Sequence, residues 1–128
     1  MDKYTALERF FGYKTFRPGQ EDLIDSILLG RDTLGIMPTG GGKSICFQIP
    51  ALCLPGVAIV ISPLVSLMKD QVSALVQNGI PAAYINRTLT DDKITYTYRA
   101  AVRGDYKIHL CCTGTAFFAQ FSRSVLNA

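Results

Sequence analysis

Residues Met37-Pro38-Thr39-Gly40-Gly41-Gly42-Lys43-Ser44 form a glycine-rich turn that closes on Lys-Ser. These residue types in this order suit the phosphates of a nucleoside triphosphate. Glycines reach positive φ, so successive backbone N–H groups converge on phosphate oxygens, and a helix that follows turns its positive end toward the same charge. Lys43 is the cation for the β- and γ-phosphates and the catalytic candidate. The Ser44 hydroxyl is placed for the Mg²⁺ that bridges those phosphates. The general pattern Gly-x-x-x-x-Gly-Lys-[Ser/Thr] has glycine where this chain has Met37. The other reading is an ordinary turn with an exposed lysine; three consecutive glycines before Lys-Ser, between a strand-like and a helix-like flank, weigh against it.

The elements that would hold this turn can be traced on either side. Asp32–Ile36 is expected to be a short buried strand, and Ile45–Ile49 to lie on a helix. Upstream, Ala6–Phe11 reads as a short helix ending at Gly12. A second helix has Pro18 in its first turn, apolar Leu23, Ile24, Ile27 and Leu28 at helical spacing, and Gly30 at its end. Downstream, Val57–Ile61 is a continuous apolar run rich in β-branched residues, the kind found in strands buried on both faces of a parallel sheet. A helix carrying Leu64, Leu67, Met68, Val72, Leu75 and Val76 stops near Asn78-Gly79, and Ala82–Ile85 is a weaker strand. Residues 90–103 are expected to be helical although Thr95, Tyr96, Thr97 and Tyr98 are poor helix formers, and Tyr106–Cys112 is another strand. Strands alternating with helices at these lengths predict an α/β fold with a parallel sheet.

With 128 residues, 48% of them hydrophobic and 18% charged, the chain suits a single globular domain with its own core. A net charge of +3 permits contact with a polyanion without requiring it. Cys46, Cys53, Cys111 and Cys112 form no zinc-binding spacing and read as reduced thiols. No apolar segment follows Met1-Asp2-Lys3-Tyr4, so a reducing interior, cytoplasmic or nuclear, is the expected setting. Ser44–Met68 has no charged residue and is long enough to cross a bilayer, but Pro50, Pro55, Gly56 and Pro63 are expected to cut it into short pieces.

Four segments together resemble the RecQ-type DNA helicases. They are Phe11–Gln20, Met37–Ser44 with Gln48–Ala51 behind it, Ser62–Gln71, and Asn78–Ala82 followed by Asn86. The likeness runs over residues 6–108, and the Met37 form of the loop is the one that family uses. It implies an incomplete P-loop NTPase (RecA-like) parallel sheet flanked by helices, in a single partial domain over 1–128. It also implies a 3′-to-5′ DNA helicase that couples ATP hydrolysis to unwinding in DNA repair and recombination.

By the same resemblance, ATP and Mg²⁺ are the cofactors, and single-stranded or partially duplex DNA is the partner, with no membrane involved. Gln20 would read the adenine edge with its amide, Tyr13 and Arg17 would hold the base between an aromatic face and a guanidinium plane, and Met37–Ser44 would hold the phosphates. Ser62, Ser66 and Lys69 would hold DNA phosphates; a helix cap followed by a solvated charged face explains them equally well. Asn86-Arg87-Thr88 ranks lower as a further polar contact.

The pattern departs at residues 109–128. The family would lead into an aromatic-Pro-Glu-Arg segment and then an Asp-Glu-x-His box, and these 128 residues contain neither. Hydrolysis in this class needs a carboxylate to hold Mg²⁺ and arginines to neutralise developing charge, the latter from a second lobe. The expectation is therefore a truncated chain, with a shifted reading frame after about Ile108, that cannot unwind DNA alone. The alternative is a non-catalytic ATP- or DNA-binding fragment, or an inactive product. A small-molecule kinase is a further P-loop reading, and Phe11–Gln20 counts against it. His109 reads as a strand residue with no catalytic or metal-binding partner.

Overall fold

The computed structural model describes residues 1–38, 40 and 42–113. Thr39, Gly41 and the tail from Gly114 onward lie outside the described residues. The chain divides into two compact units, residues 1–56 and the part from Val57 onward.

The first unit is helical. Helix α1 (Lys3–Ala6) starts three residues earlier than Ala6, because Asp2 caps it: one carboxylate oxygen accepts from the Thr5 N–H at 2.9 Å. It continues into a π-helical turn, Leu7–Phe11, that ends at Gly12 with φ 75°. Helix α2 (Gln20–Leu28) begins directly after Pro18-Gly19, so Pro18 lies just outside the helix and Gln20 is its first residue. Helix α3 (Lys43–Cys53) begins at the lysine of the glycine turn. Ala6, Leu7, Ile24 and Ile49 form the core, with Phe10, Phe11, Phe16 and Leu52 packed on it. Lys3 bridges α1 to α2 through Asp25 (2.5 Å) and Glu21 (3.3 Å).

Two expectations for this unit need correction. Pro50 does not cut the apolar stretch: α3 runs through it to Cys53, and Leu54 N–H closes on the Pro50 carbonyl at 2.9 Å. Proline removes one helical N–H, but Ile49, Pro50 and Ala51 are all buried, and that burial holds the helix together past the missing bond. Among the described residues no helix is long and apolar enough to cross a membrane. The second correction concerns Asp32–Ile36, which forms no strand. Leu34 and Ile36 are 85% and 89% exposed. A strand exists only where a neighbour accepts its hydrogen bonds, and this segment has no paired neighbour among the described residues.

The second unit is a three-stranded parallel sheet with helical crossovers. Its elements are β1 (Ala58–Ile61), α4 (Val65–Gln77), β2 (Ala82–Ile85), α5 (Asp91–Val102) and β3 (Ile108–Cys111), and the sheet order is β1-β3-β2. β3 pairs with both neighbours, setting Ile59 and Ala83 beside His109, and Ile61 and Ile85 beside Cys111. The β-branched run is thus an edge strand with Ile61 half exposed, whereas β3 is the fully buried centre. α5 packs Ala101, Ile94 and Tyr98 on Ile85, Cys111 and Ile59. Its poor helix formers are retained because Thr97 and Tyr98 turn inward, and the Thr97 hydroxyl bonds the Lys93 carbonyl at 2.8 Å.

Candidate functional site

In the first unit the backbone sets the site. Gly42 takes φ 78°, ψ 41° and serves as the N-cap of α3, so Lys43 and Ser44 open the helix with exposed side chains. A β-carbon on Gly42 would overlap the Gln20 amide nitrogen, and its φ is one that other residues rarely adopt. Gln20 is only 2% exposed. Its Oε1 accepts from the Arg17 N–H at 2.8 Å and its Nε2 donates to the Gly42 carbonyl at 3.1 Å. The Arg17 guanidinium donates to the Gly40 carbonyl at 2.8 Å.

Tyr13, Arg17, Gln20 and Gly42 line one cavity of about 170 Å³, closed by Leu7, Thr15 and Ile45. The expected base-reading residues and the end of the glycine turn therefore meet. The cavity offers an exposed aromatic face in Tyr13, a cation in Arg17 and a fixed amide in Gln20. Gly42 leaves a cradle that any side chain would fill, and the exposed Ser44 hydroxyl is a hard oxygen donor suited to Mg²⁺ beside phosphate. Met37 is half-buried with its sulfur on Cys46, and Pro38 is exposed. Leu7, Thr15, Ile45 and Cys46 were not among the sequence-derived site residues. Ile45 and Cys46 follow Lys43-Ser44 directly, and that position was the available signal.

The second unit holds the other candidates. Ser62 is half-buried; its hydroxyl accepts from Leu64 N–H at 3.2 Å and its own N–H donates to the Cys111 carbonyl at 3.0 Å. Ser62 thus shapes the turn entering α4, while Ser66 and Lys69, three residues apart on α4, are exposed on one face. Asn86 is buried: its Nδ2 lies 3.5 Å from the Met68 sulfur and its Oδ1 accepts from Thr88 N–H at 2.9 Å. That amide holds the turn after β2. His109 sits inside the central strand with Tyr106 edge-on at 5.2 Å, and burial pulls its imidazole down to about 4. It is neutral at pH 7.

A glycine turn opening a helix, in a chain that goes on into a parallel sheet, agrees with what comparison with known proteins finds. Residues 17–125 match the DEAD/DEAH box helicases, and the chain belongs to that family. Its sheet and crossover helices are an incomplete RecA-like arrangement. The chain is similar to the ATP-dependent DNA helicase RecQ of Pasteurella multocida, with 58% identity over 91 residues covering 69% of this chain and 14% of that protein. It is 53% identical over 105 residues to RecQ of Bacillus subtilis, covering 81% and 18%, and 47% identical over 104 residues to RecQ of Haemophilus influenzae, covering 81% and 17%. The chain therefore spans less than a fifth of the length of these relatives.

Proposed function

We propose that these residues are the ATP-binding portion of a RecQ-type 3′-to-5′ DNA helicase and form one partial domain of its motor. The observation that carries this reading is the Gln20 amide, buried in the cavity of Tyr13 and Arg17 and bonded to the carbonyl next to Lys43. In this reading Gln20 takes the adenine edge, Tyr13 and Arg17 flank the base, and residues 37–44 hold the phosphates. Lys43 supplies the cation and Ser44 holds Mg²⁺, which when bound neutralises phosphate charge. Ser66 and Lys69, with Ser62 at the entry to their helix, contact the phosphates of single-stranded or partially duplex DNA. Such a protein works where the chromosome lies, in a bacterial cytoplasm or a nucleus.

Titration of the chain with ATP and GTP tests the site. ATP binding is expected to fall at least about tenfold in Lys43→Ala, the loss of a charge-assisted bond. Gln20→Ala should weaken ATP more than GTP. Equal loss for both nucleotides would remove base reading from Gln20, and no ATP binding by the unmodified chain would refute the site. A second reading, a non-catalytic ATP- or DNA-binding fragment, is favoured by one observation: no Asp-Glu-x-His box occurs in the 128 residues. On that reading the chain binds ATP and cannot unwind DNA alone.

A further inference from the structure

The glycine turn starts and finishes on the same thiol. Cys46 Sγ lies 3.5 Å from the Met37 sulfur, at the entry to the turn, and 3.8 Å from the carbonyl oxygen of Gly42, at its exit. Cys46 is buried one turn into α3, three residues after Lys43. Burial pushes the thiol up from its usual range, so at neutral pH it keeps its proton and acts as a weak donor, with no negative charge set against a bound phosphate.

We infer that Cys46 is a positioning residue for the nucleotide: its thiol clasps Met37 and so fastens the entry of the phosphate loop to α3, whose N-cap Gly42 already anchors the exit. This rests on the reading of residues 37–44 as a phosphate loop. A loop whose ends are already held loses less freedom when phosphate orders it, and the difference appears as affinity. The clasp also accounts for the departure at position 37. Glycine there would carry no sulfur, whereas methionine is unbranched and polarizable and reaches the thiol from the opposite end of the loop. Cys46 touches no part of a bound nucleotide in this scheme; it acts through the loop.

The test compares ATP and adenosine binding to the full chain and to Cys46→Ala, Met37→Leu, the double variant and Cys46→Ser. Weak hydrogen bonds of this kind predict that each of the first two binds ATP about two- to fivefold more weakly. The double variant should lose no more than Cys46→Ala alone, because that change already removes the contact that Met37→Leu removes. Cys46→Ser keeps a donor and should bind ATP nearly as the unmodified chain does, while adenosine, which has no phosphate, should bind all five proteins alike. Additive losses, equal losses for adenosine, or no loss would each overturn the clasp.

If the unmodified chain binds no ATP, the nucleotide-site reading fails, and the clasp is then judged by iodoacetamide labelling read by peptide mass spectrometry. Met37→Gly should speed alkylation of Cys46 while that of Cys111, buried in β3, stays unchanged. Unchanged labelling of Cys46, or faster labelling of both thiols, would overturn it.

Discussion

Gln20 has both ends of its amide engaged by backbone, and that fixes its polarity. Turned over, its NH₂ would meet the Arg17 N–H and its oxygen the Gly42 carbonyl, two like-with-like contacts, so only the observed orientation is satisfied. One N–H and one lone pair are left, a donor and an acceptor side by side. The resemblance pointed to Gln20, Tyr13 and Arg17, because all three lie in Phe11–Gln20, one of the segments that carry it. Nothing in the sequence pointed to the bond from Gln20 to Gly42 or the Cys46–Met37 contact, since each closes through space across a loop. His109 is a residue whose cost can be measured. Its imidazole is held at about 4 against an ordinary 6.5, so the unfolded chain takes up the proton first as pH falls. His109 therefore leaves stability intact above pH 6.5 and reduces it progressively down to about pH 4, by at most about 3 kcal/mol. Urea unfolding of the chain and of His109→Phe at pH 7 and pH 4.5 checks this. The substitution should flatten the decline, and an equal decline in both would assign it to other groups.

Elements were legible where hydrophobic period and punctuation agreed. Ala82–Ile85 is a strand with the expected ends, and α4 stops at Gln77 beside the expected Asn78-Gly79. α5 forms at Asp91–Val102 against the propensity of its middle, because burial on β2 and β3 outweighs a few tenths of a kcal/mol per residue. Thr90 caps it, its hydroxyl accepting from the Lys93 N–H at 3.3 Å. Thr90→Ala should cost about 1 kcal/mol, whereas Thr95→Ala, exposed on the same helix, should be neutral or slightly stabilising. Thermal unfolding of the two variants separates cap from propensity; equal shifts would remove the cap's role. What was illegible is pairing. Val57–Ile61 and Asp32–Ile36 both read as strands in the sequence, yet the first finds β3 and becomes an edge strand while the second finds no paired neighbour among the described residues. A strand depends on its neighbours as much as on its own residues.

The whole chain has the glycine turn and the parallel sheet of its family but no Asp-Glu-x-His among its 128 residues. On the second reading proposed above, these residues alone bind ATP without turning it over faster when DNA is added. Phosphate release with and without a single-stranded oligonucleotide measures this, and DNA-stimulated multiple turnover would overthrow the expectation. The bare aliphatic side chains of Leu34 and Ile36, held on a segment with no paired strand among the described residues, also bear on the chain's handling in a cell. Holdase chaperones and quality-control proteases engage unpaired apolar segments of this kind, and the stretch leading into the glycine turn presents one.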